Sequence, residues 1–150
     1  MRQYIDTKLV QAEPAYLLDK KTVQPTTWPI PEGSTAEEGY AVLNPDGSMK
    51  WTEKAEFEAT CRPADAMTFG QAIEAAKNGK RISRAGWNGK SQYVELATGI
   101  GYVGTDGKTV NAEHAAIGNK AFAFVGTSGV QMGWLASQAD MLAEDWQIVE

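Results

Sequence analysis

The segment Thr68-Phe69-Gly70-Gln71 constrains this chain more than any other short stretch. Threonine with glutamine three residues on forms a capping box, in which each side chain satisfies a backbone amide that a helix start leaves unpaired. Phe69, Ala72, Ile73 and Ala76 then fall on one face at three- and four-residue spacing. Asn78-Gly79 supplies residues that tolerate the left-handed conformation of a helix stop. The pattern predicts an amphipathic helix over 68–78.

Past that helix the period becomes two. Lys80-Arg81-Ile82-Ser83-Arg84 and Gln92-Tyr93-Val94-Glu95-Leu96 read as strands either side of the turn Trp87-Asn88-Gly89-Lys90. Gly101-Tyr102-Val103 and Lys108-Thr109-Val110 flank Thr105-Asp106-Gly107 as a second hairpin. Ala121–Val125 is expected to be a buried strand paired with Val130–Trp134. Ser137 is expected to cap one short helical turn through Leu142, and Asp145–Val149 to close the sheet. The expected fold is α+β: a small, mostly antiparallel β domain over 67–150 with one clear amphipathic helix.

Residues 1–66 read as a smaller β-rich module of hairpin and helix. Lys8–Ala12 is a strand candidate, and Pro25, Pro29 and Pro31 with Gly33 and Ser34 predict a surface loop. Two runs, 39–43 and 48–51, flank Asn44-Pro45-Asp46-Gly47 and predict a hairpin, because proline presets one turn dihedral and glycine accepts a positive φ. Thr52 is placed to cap a helix through about Thr60, with Ala55, Phe57 and Ala59 as its apolar surface.

Composition narrows the function classes. Hydrophobic residues make up 43% of the 150-residue chain and charged residues 22%, which argues for packed domains and against disorder. No apolar run approaches the roughly 20 residues that span a bilayer, and the amino terminus lacks the apolar stretch of a secretory signal. The lone cysteine, Cys61, excludes an internal disulfide and suits a reducing cytoplasm. A net charge of −5 speaks against a DNA-coating protein. Between Ala75 and Val94, however, there is no acid, while Lys77, Lys80, Arg81, Arg84 and Lys90 lie there. That stretch is either a phosphate-holding patch or a solvated face balancing acids elsewhere.

Gly99-Ile100-Gly101-Tyr102-Val103-Gly104 spells G-x-G-x-x-G, but a turn and no helical pattern follows, so the dinucleotide-binding context is missing. His114 is the only histidine, Cys61 is far from it in sequence, and neither stands in a nucleophile signature. Asp140, Glu144 and Asp145 offer paired carboxylates, although acids beside a short helix commonly serve as caps. No spacing matches a zinc or calcium site, and no catalytic group, metal or cofactor is expected.

Two segments carry recognition chemistry instead. Arg84-Ala85-Gly86-Trp87-Asn88-Gly89-Lys90 sets a guanidinium, an indole and an amide beside two glycines. Indoles stack on bases, glycine backbone permits close approach, and Arg meets phosphate. Gly133-Trp134-Leu135-Ala136-Ser137-Gln138-Ala139-Asp140 adds a second indole and a helix start, whose amides suit an anion. Each tryptophan, taken alone, fits a core role better than that of a stacking platform.

Three blocks resemble the Thoeris anti-defense 2 family, in that family's order and across nearly all of 67–150. They are Met67-Thr68-Phe69-Gly70-Gln71-Ala72-Ile73, then Arg84 to Lys90, then Trp134-Leu135-Ala136-Ser137-Gln138-Ala139-Asp140-Met141-Leu142-Ala143-Glu144-Asp145-Trp146. Residues 1–66 fall outside that domain and are similar to leader modules on some small phage proteins. The resemblance implies a phage sponge acting in the cytoplasm of the infected bacterial host. Its ligands would be the cyclic ADP-ribose isomers made by bacterial TIR-domain enzymes, and by extension the cyclic di- or trinucleotides of CBASS. The resemblance also implies a homotetramer with pockets between protomers, and sequestration without cleavage. Carried over by motif, Trp87, Asn88 and Trp134 are the pocket residues, with Ser137 and Asp140 next and Arg84 as a phosphate contact. Gly133 stands where the resemblance leads one to expect a proline before the tryptophan. The competing readings are a structural or protein-binding phage accessory protein and a nucleotide-processing enzyme.

Overall fold

The computed structural model describes residues 2–3, 8–87, 91–111 and 119–150. The chain forms two compact units, one of Leu9–Arg62 and one of Pro63–Glu150 with Met1–Lys8.

The first unit is a four-stranded antiparallel sheet of β1 (Gln11–Leu18), β2 (Thr22–Pro25), β3 (Ala36–Leu43) and β4 (Met49–Glu53), in the order β2-β1-β3-β4. The strand foreseen at Lys8–Ala12 starts at Gln11 and continues to Leu18, through Pro14. Proline is tolerated there because the Pro14 carbonyl, which accepts from the Thr26 amide, faces the β2 side, where the ladder has already ended at Ala15↔Pro25. A residue's N–H points the same way as its carbonyl in a strand, so the missing donor costs no bond to β3. Pro25 itself ends the edge strand, which moves the start of the expected loop one residue later.

The hairpin between β3 and β4 forms where the sequence places it, in the register Leu43↔Met49. Gly47 takes φ +84°, and Asp46 accepts from the Ser48 amide at 2.9 Å. Helix α1 (Lys54–Thr60) starts later than foreseen: Thr52 is held in β4 opposite Tyr40, and Glu53 is the cap, without a side-chain bond. Strand pairing overrides the local capping preference. Of the expected apolar surface only Phe57 is half-buried, stacked on Tyr40 at 4.2 Å; Ala55 and Ala59 are exposed.

The second unit is a small α+β fold. Its sheet contains β5 (Arg81–Arg84), β6 (Tyr93–Thr98), β9 (Lys120–Gly126), β10 (Gly129–Met132) and β11 (Trp146–Val149) in the antiparallel order β10-β9-β6-β5-β11. Strands β7 (Gly101–Val103) and β8 (Thr109–Asn111) make a separate hairpin, so the glycine-rich string enters a turn and no helix. Helix α2 (Phe69–Lys77) carries both halves of the expected capping box, with the Gln71 amide donating to Thr68 and the Thr68 amide to Gln71.

The register sets Ile148, Ile82, Val94 and Phe124 opposite one another in one row across four strands. Directly opposed residues share a face, and α2 covers this one with Ala72, Ala75 and Ala76. Small residues let the helix approach closely. Trp146, fully buried, fills the space beside Met67, whose backbone exchanges hydrogen bonds with it at 2.8 and 3.2 Å. The segment before Met67 is tied in as well, through the Ile148 amide donating to Ala64. No helix among the described residues is long and apolar enough to cross a membrane.

In the first unit Trp51 lies over Gly39 and donates from Nε1 to the Ala15 carbonyl at 3.3 Å. A Cβ on Gly39 would come within 2.6 Å of the Trp51 ring and collide with the Thr52 carbonyl. Gly39→Ala is therefore expected to destabilise this unit by about 1–3 kcal/mol, the cost of overpacking. Urea unfolding monitored by circular dichroism would measure it.

Candidate functional site

Strand β5 ends at Arg84, directly opposite Trp146 at the start of β11. The chain then turns sharply, with the Ala85 amide donating to Asp145 at 3.1 Å and the Trp87 amide to Arg84 at 3.2 Å. That turn carries Trp87 back over the core. From the other side β10 ends at Met132, Gly133 takes φ +74°, and the Trp134 amide donates to the Phe122 carbonyl at 2.9 Å. The two indole-bearing segments, 47 positions apart in number, converge.

Their convergence is aromatic. Trp87 and Trp134 meet edge-to-face at 6.1 Å, and both rest in the same manner on Trp146, at 5.4 and 6.2 Å. Phe124 meets Trp87 at 5.2 Å. T-shaped contacts of this kind place the positive edge of one ring against the negative face of the next. Trp146 is fully buried, whereas Trp87 and Trp134 are only partly so. Trp146 is therefore core, while the other two pack on it and keep part of their surface in solvent.

Polar groups brace this cluster. Arg84 donates from Nε to Asp145 at 2.9 Å and from Nη1 to Asp140 at 3.0 Å, with Nη2 at 3.5 Å from the other Asp145 oxygen. Helix α3 (Gln138–Met141) begins with a reciprocal cap, as Ser137 donates to Asp140 through its amide and hydroxyl and accepts from the Asp140 amide. The Ser137 amide thus already faces a carboxylate from the chain itself, and the Asp140 amide a hydroxyl. The Trp146 indole N–H donates to the Asp140 carbonyl at 2.9 Å.

Of the residues singled out in the sequence, the structure brings Arg84, Trp87, Trp134 and Asp140 into one neighbourhood, with Ser137 exposed at its rim. Asn88 and Lys90 lie outside the described residues, as does His114. Asp145, Trp146 and Phe124 join this neighbourhood without a local sequence signal that marks them for it. Asp145 was visible only as one of several acids, and nothing local tells which of them a distant arginine will choose.

Burial pushes the Asp140 carboxyl up, but hydrogen bonds from Ser137 and Arg84 outweigh it and hold the group below the usual carboxylate range. Asp145 and Asp140 together raise Arg84 above its ordinary value.

A family model described as the Thoeris anti-defense 2-like domain matches residues 67–149, more than half the chain and almost all of the second unit. The chain belongs to this family. A similar protein is Thoeris anti-defense 2 of Bacillus phage SP01, 35% identical over 91 residues, which cover 55% of this chain and 94% of that relative. Membership of the Thoeris anti-defense family supports an anti-defense role, and the match covers every residue of the aromatic cluster and of the Arg84 network.

The lowered Asp140 value has a consequence for stability. A carboxyl depressed on folding stabilises the protein above its unfolded value, near pH 4, and loses that contribution as pH falls through the lower folded value. Arg84 adds no competing change in this range, since a raised arginine is charged throughout. With side-chain exposures of only 23% and 15%, the Arg84–Asp140 pair is shielded enough for its loss to be felt. Asp140→Asn is expected to cost about 1–3 kcal/mol near pH 7 and to flatten the acid side of the profile, read from urea midpoints between pH 7 and pH 3.

Proposed function

We propose that this chain is a phage sponge that binds and sequesters cyclic ADP-ribose isomer signals of the Thoeris defence without cleaving them. The family match over 67–149 carries this reading, because it falls on the unit in which two partly exposed indoles converge. Trp87 and Trp134 offer π faces and edges to a nucleobase, and stacking is worth about 1–3 kcal/mol per base. Asn88 joins them by its place in the motif. Ser137 and Asp140 contribute polar groups at the rim.

Arg84 plays a supporting role, since three of its nitrogens already face Asp140 and Asp145. A sponge needs tight, slow-releasing binding and no bond-breaking group. Nanomolar affinity corresponds to about −12 kcal/mol, within reach of stacking plus hydrogen bonds in a preformed pocket. We propose further that the protein acts as a homotetramer in the host cytoplasm, with pockets completed between protomers, and that CBASS cyclic di- or trinucleotides are secondary ligands.

Incubating the protein with a cyclic ADP-ribose isomer is expected to deplete free ligand, and heating the complex to release it unchanged. Altered nucleotide after denaturation would establish an enzyme instead. No nucleotide binding, together with capture of a defined protein partner, would favour an accessory protein. Trp87→Ala is expected to weaken binding by about 1–3 kcal/mol in calorimetry, and unchanged affinity would remove Trp87 from the pocket.

A further inference from the structure

Asp145 reaches further into the site than its sequence context suggests. Its two carboxylate oxygens face Nε and Nη2 of Arg84, and its carbonyl accepts from the Ala85 amide. The carboxylate also lies over the corner from which Trp87 emerges, 4.0 Å from where a Cβ on Gly86 would stand. Arg84 reaches on to Asp140 with Nη1, and the Asp140 carbonyl fixes the indole N–H of Trp146. A continuous series of polar contacts therefore runs from the Trp87 turn through Arg84 and α3 to the ring on which both partly exposed indoles rest.

As a contribution to stability alone, the Asp145 pair is unremarkable: the aspartate side chain is 38% exposed, and such ion pairs count for little. Its geometry is what distinguishes it. A planar guanidinium held along one edge by Asp145 and at Nη1 by Asp140 cannot rotate without breaking bonds in two chain segments. We infer that Asp145 is a positioning residue, which through Arg84 sets the mutual orientation of Trp87 and Trp134 before a ligand arrives. The inference rests on the proposed role of those two indoles in nucleotide binding. Preorganisation of this kind raises affinity by sparing side chains from being ordered on binding.

The test uses the full chain with Asp145→Asn, which keeps shape and removes the charge, and Asp145→Glu, which restores the charge. Near-ultraviolet circular dichroism of the ligand-free protein reads the coupling among the clustered indoles, with Trp87→Phe identifying the Trp87 contribution. The asparagine variant is expected to keep the far-ultraviolet spectrum and a near-wild-type unfolding midpoint while losing near-ultraviolet intensity. It is expected to bind a cyclic ADP-ribose isomer roughly tenfold more weakly, the loss that comes when one or two side chains must be ordered on binding. If the asparagine variant unfolds early, the glutamate variant should recover both midpoint and near-ultraviolet signal. An unchanged near-ultraviolet spectrum in Asp145→Asn, or a glutamate variant that recovers the midpoint without the indole signal, overturns the inference. Wild-type protein that binds no cyclic ADP-ribose isomer would instead sink the sponge reading, and the ligand-free spectra would still decide the role of Asp145.

Discussion

Burying an indole removes a large apolar surface from water but leaves an N–H that must be satisfied. In the second unit Trp146 resolves this by donating to the Asp140 carbonyl, while its ring packs against Phe69, Trp87 and Trp134. Full burial of such a ring contributes several kcal/mol, more than any polar contact around it. That one bond also fixes α3 relative to β11. The placement of the cap, of Arg84 and of the two outer indoles follows from where Trp146 lies.

The electrostatics of the neighbourhood follow from the same arrangement. Two carboxylates surround one guanidinium, so the Arg84 group as a whole does not present a bare positive charge. Recognition of an anionic ligand at this place would draw on ring faces, amides and hydroxyls more than on Coulomb attraction. Such contacts depend on distance and angle, which puts a premium on fixed geometry and explains why so many of the polar atoms here are spent on one another.

Much of the second unit was legible because its signals are local. The capping box at Thr68 and Gln71, the change of period after Gly79 and the Ser137 cap each involve residues within four positions, and each appears where the sequence places it. The errors lie where tertiary pairing outweighs local preference. Thr52 is a good cap, yet pairing with Tyr40 holds it in a strand, and Pro14 sits inside β1 because the ladder beside it has ended. The candidate site was legible only as a set of residues, of which Arg84, Trp87, Trp134 and Asp140 come together in the fold. The partners of Arg84 were not, since Asp145 lies 61 positions away and only the β5–β11 register brings the two together.

Gly133 carries a constraint of a different sort. Nothing crowds it, as a Cβ there would meet no atom within 4 Å, yet its φ of +74° lies far from the −65° to which a proline ring is locked. A proline in its place could not follow the same path into Trp134. Proline at this position would thus change the route of the whole approach to Trp134. Such a backbone change would re-aim one ring while leaving every side chain of the aromatic cluster the same.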